Sequence, residues 1–179
     1  MPRKYKLALA VEGVDLHDED QIEDLMERLP DVHWRKVAGQ VQAVALLDCA
    51  KQDIAAAVRR IIDAVTASSP NAEVIDVVED FVSISDIAKR SGFTRQYARM
   101  LVTGERGPGG FPRSLGSVGK TRIWDWAPVS TWLQANYDLG DSCRLLTRDE
   151  LASLRRAIVT QHPDRRHQVP HEGTHHVGV

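Results

Sequence analysis

Three side chains at helical spacing carry the most chemical information in this sequence: Arg95, Gln96 and Arg99. A guanidinium can donate two parallel N–H bonds to guanine O6 and N7, and a primary amide can pair in the same way with adenine N6 and N7. A helix that turns both toward solvent has the chemistry to read base edges in a DNA major groove. Thr94, just before them, has the hydroxyl of an N-cap and can also donate to a phosphate. Tyr97 and Met100 on the same helix suit either thymine methyls or packing. Arg106, Arg113, Lys120 and Arg122 follow, in segments suited to holding the sugar-phosphate backbone. The expected DNA-binding set is therefore Thr94, Arg95, Gln96, Tyr97, Arg99, Arg106, Arg113, Lys120 and Arg122.

Other groups that resemble reaction chemistry fail on context. Gly116-Ser117-Val118-Gly119-Lys120-Thr121 mimics the end of a phosphate-binding loop, but the full pattern needs glycine at position 114, where this chain has Ser114. It also needs a strand before and a helix after, and Phe111-Pro112 and Ile123-Trp124-Asp125-Trp126 supply neither. His162, His167, His171, His175 and His176 could align imidazoles for a metal, yet Pro163, Pro170 and Gly173 interrupt any helix there. The stretch 161–179 is expected to be a disordered polar tail. Asp18, Glu19, Asp20, Glu23, Asp24 and Glu27 crowd the start of one helix and read as a solvated face rather than a converging site. Cys49 and Cys143 suggest neither a disulfide framework nor a zinc site. No nucleophile–base–orienter set stands out, so no enzyme, no metal and no cofactor are expected.

The reading helix must be positioned by a partner. Residues 83–104 read SISDIAKRSGFTRQYARMLVTG, which predicts two short amphipathic helices. Ile84, Ile87 and Ala88 face inward on the first, and Phe93, Ala98 and Leu101 return to the core from the second. Ala88 allows close crossing, and Gly92 can take the positive φ of a sharp turn between helices. The run Arg106-Gly107-Pro108-Gly109-Gly110-Phe111-Pro112 cannot continue a helix and lets the backbone approach something closely. Arg113–Leu115 and Thr121–Trp124 then predict two short strands around a tip at 116–119. A basic hairpin after a helix-turn-helix is a wing. Trp124, Trp126, Val129 and Trp132, with Phe111, are expected to fill the small core rather than to stack on bases.

Ahead of this unit, residues 5–80 alternate strand and helix signals. Tyr5–Val11 has an apolar residue at every second position, and Asp18–Leu29 is amphipathic with acids at its start. Val32–Val37 and Val41–Leu47 suit a hairpin around Ala38-Gly39-Gln40. Asp53–Ala67 is a second helix and Val74–Val78 a last strand. The order βαββαβ predicts a four-stranded sheet with both helices on one face, the ferredoxin-like arrangement. The expected fold class is α+β. Its parts are an acidic ferredoxin-like domain at 1–80, a winged helix-turn-helix domain at 81–137, a C-terminal helix within 138–160 and a tail. The helix, Thr147–Ile158, is expected to pack on the winged unit or on a partner.

Charge supports the division. The chain of 179 residues has a formal net charge of −2. Residues 1–82 contain nine Lys/Arg against sixteen Asp/Glu, a formal −7, whereas residues 84–126 contain eight against three, a formal +5. Lysines and arginines near phosphates release condensed counterions, so an acidic front and basic middle point to nucleic acid. No apolar run is long enough to span a bilayer, and no secretory leader is recognisable, so a cytoplasmic, nucleoid-associated protein is expected.

The segment DIAKRSGFTRQYARMLVTGERGPGGFPRS, continued by GKTRIWDWAPVSTWL, resembles a group of actinobacterial helix-turn-helix DNA-binding proteins with a MerR/excisionase-like winged domain. The matching residues are Asp86-Ile87-Ala88, Arg90, Gly92, Thr94, Arg95, Ala98, Leu101, Gly104, Arg106–Pro112, Trp124, Trp126, Val129, Trp132 and Leu133. The resemblance covers roughly residues 1–135, because relatives carry a similar acidic front segment. It implies binding to double-stranded DNA and transcriptional regulation. A homodimer is expected on separate grounds, because one small module buries little interface and paired half-sites raise affinity and specificity. Tyr97 and Met100 depart from the pattern, so no DNA target sequence is implied, and nothing like a MerR effector-binding domain follows. Two alternatives go with this reading. An excisionase-like recombination factor would use the same fold to bend DNA, and an antitoxin or adaptor would act through a second protein bound to the front sheet.

Overall fold

Strand β1 (Arg3–Glu12) is the organising element of the computed structural model, which describes residues 3–161. Its alternation sends Tyr5, Leu7, Leu9 and Val11 to one face, where they lie in register with Leu47, Ala45, Ala43 and Val41 of β3 (Gln40–Cys49). On the far side of β3 is β2 (Val32–Val37), joined to it by a two-residue turn. Ala38 and Gly39 take φ of 49° and 86° there. Positive φ at both positions is what a type I′ hairpin requires, and its twist matches the strands. Strand β4 (Glu73–Val77) pairs with the other edge of β1, giving the order β2-β3-β1-β4 with every neighbouring pair antiparallel.

Helices α1 (Glu19–Arg28) and α2 (Ile54–Ser68) cover the apolar face. Asp18 caps α1 by accepting the Gln21 N–H at 3.1 Å, and a 3-10 turn, Lys51–Asp53, leads into α2. Five apolar residues of α2 are buried: Ile54, Val58, Ile61, Ile62 and Val65. Truncating any one of them to alanine would cost about 2–5 kcal/mol, so this face fixes the helix on the sheet.

The second unit has its own core. Strand β5 (Phe81–Val82) leads into α3 (Ile84–Ser91) and α4 (Arg95–Thr103). A loop then reaches the hairpin of β6 (Gly116–Val118) and β7 (Thr121–Asp125), and α5 (Trp126–Tyr137) closes the unit. The three strands pair in the order β5-β7-β6. Val82, Ile87, Ala88, Ala98, Trp124, Trp126, Val129 and Leu133 form the buried cluster, with Phe93, Phe111 and Trp132 packed on it. A hairpin lies where the wing was expected, but its strands and tip differ from expectation. Val118 pairs with Thr121, so the turn is Gly119-Lys120 and the strand opposite β7 begins at Gly116. Gly119, at φ 58°, makes the tight two-residue turn possible.

The C-terminal part departs furthest from the sequence reading. Strand β8 (Arg144–Leu145) runs parallel to β1 at Tyr5 and Lys6, along the part of that edge which β4 leaves free. Helix α6 (Arg148–Gln161) packs on the first unit rather than on the second. Its Leu151, Leu154 and Ile158 enter the first core beside α2 and β4, together with Leu146. The apolar spacing of α6 was visible, but which core it joins depends on residues more than seventy positions away, such as Asp76, which bonds Arg155 at 2.6 Å. The fold is α+β. The histidine-bearing tail from His162 onward lies outside the described residues.

Candidate nucleic-acid interface

Local signals build the helix pair. Ser83 and Asp86 form a reciprocal cap on α3: the Asp86 carboxylate accepts the Ser83 N–H at 2.9 Å, and the Ser83 hydroxyl accepts the Asp86 N–H at 3.3 Å. The Ser83 hydroxyl also donates to that carboxylate at 2.6 Å, and these bonds hold the Asp86 pKa below the ordinary aspartate value. Gly92 ends α3 in the left-handed region at φ 73°. Two residues on, Thr94 starts α4 by accepting the Tyr97 N–H at 3.1 Å. Ile87, Ala88, Ala98 and Leu101 are all buried.

With those residues inward, Arg95, Gln96 and Arg99 are left on the exposed side of α4. Arg95 and Arg99 stand four residues apart, and like charges at that spacing destabilise an isolated helix by about 0.2–0.5 kcal/mol. No carboxylate among the described residues pairs with either. The same holds for Arg106, Arg113, Lys120 and Arg122, which are exposed on the loop after α4 and on the hairpin. A helix face that keeps two repelling guanidiniums unneutralised is suited to a polyanion.

Tyr97 sits differently from the rest of the expected set. Its ring meets Phe93 edge-on at 5.0 Å, and its hydroxyl lies 3.4 Å from that of Tyr137. The hydrogen bond to Tyr97, and secondarily desolvation, raises the Tyr137 pKa to about 12. Tyr97 is therefore half-buried in an aromatic cluster that supports α4, while Arg95 and Arg99 remain outside it.

The close approach expected of the glycine-rich run is an internal one. Gly107, at φ 88°, lies so near Leu101 and Tyr137 that a Cβ there would come within 2.6 Å of a Leu101 methyl and 2.9 Å of the Tyr137 hydroxyl. The Trp132 indole donates to the Gly109 carbonyl at 3.0 Å, and the Trp124 indole to that of Pro112 at 3.2 Å. Phe111 meets Trp132 edge-on at 4.8 Å. The loop is thus clasped onto α4 and α5, with Arg106 and Arg113 near its two ends. Beyond it, the hairpin carries Lys120 in its turn and Arg122 opposite Ser117. The phosphate-loop mimic at 116–121 is this hairpin.

Arg90, counted with the basic residues of the motif, is committed elsewhere. Its guanidinium binds both oxygens of Asp80, at 2.6 and 2.8 Å, and lies 4.7 Å above the Trp126 ring. Trp126 in turn donates to Asp141 at 2.6 Å, and Asp141 accepts from Lys6 of β1 at 3.2 Å. This chain of contacts between the two units was not visible in the sequence, because Lys6 and Asp141 are 135 positions apart. The acidic residues of α1 are on the surface, and among the described residues no group of His, Cys, Asp and Glu could hold a metal ion. None of the helices described is long and apolar enough to cross a membrane. Comparison with protein-family models, curated proteins and solved structures finds nothing that matches this chain.

Proposed function

We propose that the chain binds double-stranded DNA in a sequence-specific way through a winged helix-turn-helix made of α3, α4 and the β6–β7 hairpin, and that it regulates transcription. The observation that carries this reading is the outer face of α4, where Arg95, Gln96 and Arg99 are exposed, capped by Thr94 and without a described carboxylate partner. Arg95, Gln96 and Arg99 read bases. Arg106, Arg113, Lys120 and Arg122 hold phosphates, and Tyr97 steadies the helix from behind. The acidic first unit takes no part in the groove. Its strand order, with helices linking β1 to β2 and β3 to β4, supports the ferredoxin-like reading of residues 1–80. A homodimer in the cytoplasm, associated with the nucleoid, would bring two reading helices to paired half-sites.

Fluorescence anisotropy on oligonucleotides selected in vitro by the wild-type protein tests this. A bidentate arginine–guanine pair discriminates by about 1–3 kcal/mol, so Arg95→Ala with Arg99→Ala should weaken specific binding at least about thirtyfold. Circular dichroism should stay unchanged, and wild-type affinity should fall steeply with salt. Unchanged affinity in a folded double variant, or a flat salt dependence, would remove the groove assignment.

A further inference from the structure

The face of the first sheet opposite α1 and α2 turns toward the second unit. Alternation along β2 and β3 sends Arg35, Val37, Gln42 and Val44 to the face opposite the core. Between this face and the second unit lies a cleft of about 780 Å3. Junctions between packed units are favoured positions for small-molecule pockets, and this volume is in their usual range. Two large apolar side chains that remain open to solvent, Val37 at 44% and Phe81 at 47%, both line it, as do Val44 and Trp126. Exposed apolar groups gathered in a cleft mark a binding surface.

One cation in the lining is prepared for a ligand. The Nε of Arg35 donates to the side-chain oxygen of Gln42 at 3.0 Å, and Gln42 is only 7% exposed. A buried amide thus fixes the guanidinium, while its two terminal nitrogens have no partner among the described residues. The neighbouring charges are already matched: Lys6 with Asp141, Arg90 with Asp80, and Glu79 with Arg148 and Arg155. Asp125 accepts the Ala127 N–H as the cap of α5. Arg35 is therefore the one cation of the lining without a carboxylate partner among the described residues, and it stands on the same strand face as Val37.

We propose that this cleft binds a small organic anion with a flat apolar body, its anionic group held by the terminal nitrogens of Arg35 and its body lying against Val37 and Phe81. No residue of the α4 face takes part, so the proposal stands or falls apart from the DNA reading. Anilinonaphthalene sulfonate is a suitable probe, and phenylnaphthylamine is its uncharged counterpart. Titrated into the full chain, the sulfonate should saturate at one per chain and bind roughly tenfold more tightly than the uncharged dye. Arg35→Gln should abolish that advantage, and Phe81→Ala should weaken both dyes several-fold, with cooperative melts showing both variants folded. The proposal is overturned if neither dye saturates at one per chain, if the two dyes bind equally, or if sulfonate affinity survives both substitutions.

Discussion

Arg90 and Arg99 lie nine residues apart in one motif, share a functional group and have opposite surroundings. Arg90 is gripped by both oxygens of Asp80 and stacked over Trp126, while Arg99 is exposed and unpaired among the described residues. Residue type alone could not separate them. The glycines of the clasped loop divide in the same way. Gly107 and Gly109 both have positive φ, at 88° and 76°, but a Cβ at 107 would strike Leu101 and Tyr137, whereas nothing lies within 4 Å at 109. Gly107→Ala carries backbone strain plus overpacking and should lower stability by about 2–5 kcal/mol. Gly109→Ala carries the left-handed backbone term alone, about 1–2 kcal/mol. Urea unfolding of the two variants measures the difference, and equal midpoints would mean that the loop does not sit against α4 as described.

At the scale of elements, caps decide where the helices begin. Replacing Ser83 with Ala removes the oxygen that accepts the Asp86 N–H, at a cost of about 1 kcal/mol. Asp86 adds a pH dependence whose sign follows from its lowered pKa. Its contribution is fully present above the unfolded aspartate pKa, about 3.9, and is lost as pH falls through the lower folded value. The stability gap between wild type and Asp86→Asn should thus be constant near neutrality and close below about pH 4. A gap that instead widens in acid would contradict the cap. Such local chemistry is why much of the secondary structure was legible. Asp18, Ser83, Thr94 and Gly92 announce helix ends within a few residues of themselves, and the Tyr5-Leu7-Leu9-Val11 alternation needs no partner to be seen. The two-residue strands β5 and β8 carry too little pattern to be read, and they exist only because β7 and β1 present free edges. For the candidate site, the exposed donors on α4 were legible from helical periodicity. The engagement of Tyr97 with Tyr137, forty positions away, was not.

For the molecule as a whole, the residues after α5 determine how the acidic and basic units are joined. Leu145 packs on the second core and its neighbour Leu146 is buried in the first, so two adjacent side chains rivet the two together. Asp141 adds a polar link, accepting from the Trp126 indole and from Lys6, while its own N–H donates to Ser130 at 2.9 Å. The Lys6 pair is part-exposed and screened, worth under about 1 kcal/mol. The indole N–H of buried Trp126, left without its acceptor, would cost about 1–3 kcal/mol. Asp141→Ala should therefore lower the melting temperature by about 2–16 °C for a chain of this size. Three of the four tryptophans, Trp124, Trp126 and Trp132, belong to the second unit, so tryptophan fluorescence reports mainly on it, while far-ultraviolet circular dichroism reports on both. In the wild type the two signals should change together. In the variant the fluorescence change should come first, because the smaller unit loses its tie to the larger core. If the signals still coincide at an unchanged midpoint, the apolar rivet at Leu145 and Leu146 alone joins the units, and the Lys6–Asp141–Trp126 chain is only a surface contact.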